Sequence, residues 1–181
     1  MKTKDFEKKL EKMFNPDGSV NQKVYDDVVK SLHKFKTLYT VLSPSKIQKT
    51  ENGKLYGVPF AGVVYNRPVI YLFTDKQIAE NWCNLYKESG FINDSGKMLI
   101  STVSKENEYS NIFPRCLALG IGTALVNEGA RYCGLSIEKF ISDNKLSKSI
   151  TMPLTESQVN DIIENNRNSI HCELPVLEAY P

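Results

Sequence analysis

Val69-Ile70-Tyr71-Leu72-Phe73, followed at once by Thr74-Asp75-Lys76-Gln77 and then by Ile78, Trp82, Leu85 and Tyr86, is a strand handing over to a helix. Five consecutive apolar residues rich in β-branched and aromatic side chains suit a strand covered on both faces, hence one central in its sheet. Thr74 and Gln77 stand three apart, the capping-box spacing that satisfies free backbone N–H groups at a helix start. Ile78, Trp82, Leu85 and Tyr86 fall at i, i+4, i+7 and i+8, so the helix has one apolar face. It is expected to pack on the sheet through the only tryptophan of the chain.

Strand signals continue upstream. Residues 60–65 form a run separated from Val69 by Asn66-Arg67-Pro68, and residues 45–50 and 54–58 flank Glu51-Asn52-Gly53, where Asn-Gly marks a hairpin because both residues tolerate positive φ. Residues 37–42, Thr-Leu-Tyr-Thr-Val-Leu, read as a further strand ended by Ser43-Pro44. Before these lie two helical patterns. Phe6, Leu10, Met13 and Phe14 share a face over residues 4–14, Pro16 and Gly18 break it, and Ser19…Gln22 opens a second helix carrying Val24, Val28, Leu32 and Phe35.

Downstream, Gly90 and Asn93-Asp94-Ser95-Gly96 close the central helix, and residues 97–103 make a strand. A mixed segment at 106–119 leads to Gly120-Ile121-Gly122, read as a helix stop with close backbone packing, and to a short strand at 123–126. Leu135, Ser136 and Phe140 have the spacing of a hydrophobic staple around a cap, and Leu154, Thr155, Gln158 and Val159 repeat that logic for a helix to about Asn165. Residues 170–177 suggest an edge strand that tolerates Pro175. Strands clustered centrally with helices around them predict an α+β fold: a central mixed or antiparallel β-sheet with helices packed on it and a helical N-terminal hairpin. The expected organisation is one domain over 1–181, divided into the hairpin (1–36), an α/β core (37–140) and a C-terminal helix and edge extension (141–181).

The chain has 181 residues, 41% hydrophobic and 24% charged, the balance of a globular domain able to bury a core without disulfides or metals. Scattered Gly and Pro exclude a collagen-like or low-complexity chain. No apolar run reaches bilayer length, and Met1-Lys2-Thr3-Lys4-Asp5 opens a charged amphipathic stretch, so a cytoplasmic protein without membrane attachment is expected. Residues 1–60 hold 12 Lys/Arg and 7 Asp/Glu, a net +5 within an overall +2. That excess suggests a nucleic-acid surface, but the charges interleave as on an ordinary solvated helix face, so nucleic acid is the disfavoured partner.

The stretch from Leu38 to Leu42, the Asn52-Gly53 hairpin, Pro68 to Asp75 leading into Ala79 and Trp82, and Leu125-Val126-Asn127-Glu128-Gly129 together resemble the N-terminal domain of the bacterial SseB family. The resemblance covers roughly residues 31–140. It departs where the family's Asn-Pro-Gly reads Asn127-Glu128-Gly129, and the tail beyond Phe140 is too short for the second domain of longer members. It implies an interaction or regulatory module rather than a catalyst.

Candidate chemistries are sparse. Cys83, Cys116, Cys133 and Cys172 include no Cys-x-x-Cys pair, so structural zinc is disfavoured and no cofactor is expected. A thiol hydrolase or transferase needs a base, and the pairing left open is Cys116 or Cys133 with His171. Gly120-Ile121-Gly122 lacks the third glycine and the following helix of a phosphate loop, and carboxylate pairs such as Asp26-Asp27 suit a solvated surface. The preferred expectation is protein binding. Tyr56, Phe60 and Tyr65 mark a hairpin face or edge that accepts a partner strand from an unidentified protein, and a homo-oligomer is left open.

Overall fold

The structure, a computed structural model, describes residues 1–88, 98–106, 109–146 and 174–180. The expected helix at 154–165, the loop at 93–96 and the first half of the expected strand at 170–177 lie outside the described residues.

The fold is α+β. Helices α1 (Thr3–Leu10) and α2 (Gln22–Leu32) pack against each other as the N-terminal hairpin. Strand β1 (Thr37–Leu42) pairs antiparallel with β6 (Leu99–Ser104). Strands β2 (Gln48–Lys49) and β3 (Leu55–Gly57) make the hairpin announced by Asn52-Gly53, and β9 (Leu177–Glu178) adds to β3. The largest sheet is mixed, in the order β4 (Ala61–Val64), β5 (Arg67–Leu72), β7 (Thr123–Val126), β8 (Cys133–Ser136), with β5 and β7 parallel. Helices α3 (Lys76–Glu88), α4 (Tyr109–Ala118) and α5 (Ile137–Asp143) complete the described elements.

Alternation of side chains along β5 explains its unbroken apolar run. Ile70 and Leu72 join a core with Phe6, Val28 and Leu32 from the hairpin, Phe113 from α4 and Phe140 from α5. Val69, Tyr71 and Phe73 face the opposite layer, with Ala79 and Trp82 of α3. The strand is therefore covered on both faces, with the N-terminal hairpin built into the same core as the sheet. The three sheets are also stitched together by single bridges, Tyr39 to Phe73 and Ser101 to Ala179.

Several local expectations shift by a residue or two. Ser19 does not cap α2: its N–H and hydroxyl both donate to Asp17, and Asn21, whose side chain accepts from the Val24 N–H, takes the cap. Thr74 does not cap α3 either, because Asp75 accepts from the Gln77 N–H while Thr74 is drawn to Asn127. Phe14 leaves the core face and pairs with Val20 in a bridge between the two helices, both half-exposed. On α3 the buried face is Ala79 and Trp82, with Leu85 50% exposed.

The mixed segment contains α4 despite Pro114 inside it. Its end is a Schellman motif: the Ile121 N–H donates to Cys116 O and the Gly120 N–H to Leu117 O, with Gly120 at φ +74°. The helix-stop reading of Gly120 holds. The staple at Leu135 holds too, for Ser136 caps α5 by accepting from the Lys139 N–H. Strand β8 carries too few residues, with Gly134 among them, for a pattern to announce it. In the described part of the tail, β9 begins beyond Pro175 and takes an outer position of its three-stranded sheet beside β3, with Ala179 bridged singly to Ser101 of β6.

Candidate functional site

The β4–β5 hairpin turns on Tyr65 and Asn66, both in the left-handed region (φ 48° and 60°). Two central residues at positive φ give a type I′ turn, whose twist matches the flanking strands. The turn therefore begins one residue earlier and ends two residues earlier than the Asn66-Arg67-Pro68 loop suggests, and Arg67 and Pro68 belong to β5. Pro68 is tolerated because it stands opposite Val63, where neither residue bonds across the hairpin, and β7 joins only from Val69 onward.

Tyr65 is 96% exposed at this tip, and Val63 beside it is 71% exposed. Among the described residues no strand pairs with the outer side of β4. The inner side of β4 is tightly specified. Gly62 lies against Tyr71 so closely that a Cβ would come 2.5 Å from the phenol oxygen.

The other two expected face residues have different engagements. Phe60 stacks on Tyr71 (centroids 5.8 Å apart) and meets Trp82, so it belongs largely to the aromatic layer under the hairpin. Tyr56 lies on β3 in another sheet, where its hydroxyl donates to Glu178. No ring contact joins Tyr56, Phe60 and Tyr65. What the sequence reading missed was Ala61 and Val63, whose exposure depends on where the hairpin ends relative to the core.

Beneath the hairpin a chain of hydrogen bonds runs through the aromatic layer. The Tyr71 hydroxyl, held well above its ordinary range by burial, bonds to Tyr86, and Tyr86 donates to Glu128. Trp82 stacks on Tyr86 at 3.9 Å. Asn127, buried at φ +61°, ties the ends of β7 and β5 together: its side chain accepts from the Thr74 N–H at 2.8 Å and its amide bonds the Thr74 hydroxyl. These groups bond to one another across the layer.

The three described thiols, Cys83, Cys116 and Cys133, lie among apolar residues. Burial pushes Cys133 up to about 12 and Cys83 up to about 11, and Cys116 is fully buried in the core. His171 and Cys172 lie outside the described residues. His33 stands among the rings of Tyr109 and Phe140. Among the described residues no group of His, Cys, Asp and Glu has the arrangement of a metal site, and no helix is long and apolar enough to cross a membrane. In the basic N-terminal third, Lys9 is held by Asp27 and Ser31, and Lys54 by Glu178.

No family profile, curated protein or solved structure matches the chain.

Proposed function

We propose that the chain is a non-catalytic interaction module of the cytoplasm, similar to the SseB N-terminal domain, that binds a protein by strand pairing at the outer edge of β4. The observation that carries this reading is the open, uncharged segment Ala61-Gly62-Val63-Val64-Tyr65 with Val63 and Tyr65 presented to solvent. Free sheet edges are ordinarily blunted by lysine, proline or a bulge, because their unpaired backbone groups template pairing with another chain. Here nothing within the segment does so. Main-chain bonds along such an edge supply affinity, and exposed neighbours such as Tyr65 supply apolar contact with one polar tip.

The resemblance over residues 31–140 supports the same reading. Its departure at Glu128 is accommodated by a structural role, since the carboxylate receives the Trp82 and Tyr86 protons. The reading is tested by affinity capture from the native host with the full chain and its Val63→Lys, Tyr65→Ser variant. Proteins recovered by the wild type and lost by the variant support it, while identical recoveries from both, or none, reject it.

A further inference from the structure

We propose that the strand completing the β4 edge is β4 of a second copy of this chain, paired antiparallel about a two-fold axis at Gly62. The inference rests on the reading of β4 as the contact edge and names its occupant.

Register determines which backbone groups are free. Val64 and Arg67 flank a two-residue turn and so form a hydrogen-bonded pair, as do Gly62 and Val69 two residues on. Ala61 and Val63 lie between and direct their N–H and C=O outward. The preceding residues keep the same phase. The Phe60 N–H donates to Val41 O and Val58 O accepts from the Ser43 N–H, so residues 58 and 60 face β1 just as residues 62 and 64 face β5.

The free edge has two ends. Pro59 is buried and has no N–H to offer, and Tyr65 departs into the left-handed turn. Between them the outward groups belong to Ala61 and Val63, placed symmetrically about Gly62. An antiparallel copy centred there sets Ala61 opposite Val63 of the partner subunit and Val63 opposite the partner's Ala61. Both are hydrogen-bonded pairs, so the outward N–H and C=O groups of Ala61 and Val63 on each copy are all used. Gly62 meets the partner's Gly62 in the intervening non-bonded pair, the position where strands approach most closely.

Charge points the same way. A two-fold axis brings like against like, so a charged edge repels its own copy. Residues 60–66, Phe-Ala-Gly-Val-Val-Tyr-Asn, carry no charge. The two four-stranded sheets then become one continuous sheet across both copies.

The test uses the full chain. Sedimentation equilibrium over a range of concentrations is expected to show a monomer–dimer equilibrium for the wild type, weakened about tenfold or more in Val63→Lys, which sets lysines close together across the axis. Val63 is largely exposed, so the variant is expected to fold, checked by an unchanged unfolding midpoint at low concentration. Register is read separately by mild oxidation. A mixture of Ala61→Cys and Val63→Cys chains forms a disulfide-linked pair between the two variants, whereas each variant alone places its new thiols on the longer diagonal and links poorly. A wild type that stays monomeric at every concentration overturns the proposal, as does Val63→Lys dimerising as the wild type does or equal linking in the single-variant samples. If the wild type is monomeric yet Val63- and Tyr65-dependent capture of a host protein persists, the edge reading stands and its occupant is foreign.

Discussion

The indole N–H of Trp82, on α3, donates to the carboxylate of Glu128 at 2.6 Å, across 46 positions of sequence. Trp82 is 1% exposed, so this donor has no access to water and depends on the loop after β7. Glu128 thus has a structural reason to be a carboxylate in this loop.

Removal of that acceptor gives the first prediction. Glu128→Ala strands a buried donor and is expected to cost about 1–3 kcal/mol, whereas Glu128→Gln, which keeps an acceptor oxygen, recovers much of it. Urea unfolding followed by the fluorescence of the single tryptophan measures both, and equal losses in the two variants would disprove the role of the bond.

Gly62→Ala is expected to destabilise the fold by about 1–3 kcal/mol, because the new methyl meets the Tyr71 hydroxyl and ring edge. Tyr71→Phe removes the oxygen, so the double variant should lose less than the sum of the single changes. A double-mutant cycle with a coupling energy near zero would rule out the clash.

His33 predicts a pH dependence. Burial, helped by the charge of Lys105, holds its folded pKa below the ordinary 6.5. The unfolded chain therefore binds the proton more readily, and the His33 contribution to stability is complete above about pH 7 and falls as pH drops through 6.5 towards the lower folded value. His33→Gln should flatten that part of the stability curve measured by denaturant titration; an unaltered slope would locate the dependence elsewhere.

For the thiols, Cys83, Cys116 and Cys133 in a Cys172→Ser background are expected to react with a small alkylating reagent near neutral pH far more slowly than a free thiol, and to become reactive on unfolding. Burial raises the pKa of the Cys83 and Cys133 thiols and encloses Cys116 in the core, and only an accessible thiolate is nucleophilic. One native cysteine reacting faster than a free thiol would instead favour thiol chemistry.

What could be read in the sequence was what local physics decides. The apolar run from Val69 to Phe73 is a strand covered on both faces because its two alternating sets of side chains are both hydrophobic, and its shortness, its β-branched and aromatic content and the proline before it favour a strand over a buried helix. Asn52-Gly53, Gly120 and the Leu135–Ser136–Phe140 spacing likewise announced their turn, stop and cap through backbone sterics and orphan N–H groups. Tertiary structure decided the matters in which two distant groups compete for one partner. Thr74 has the side chain of a cap but is taken by Asn127, 53 residues away, so Asp75 caps instead. Leu85 has helical spacing for the core but is half-exposed beside Gly129 of the loop after β7. The open edge was decided in the same way. Nothing in Ala61-Gly62-Val63 distinguishes an interior strand from an outer one; among the described residues it is outermost because β5 takes β7 as its other neighbour, and strand order follows from how the chain buries its two apolar layers.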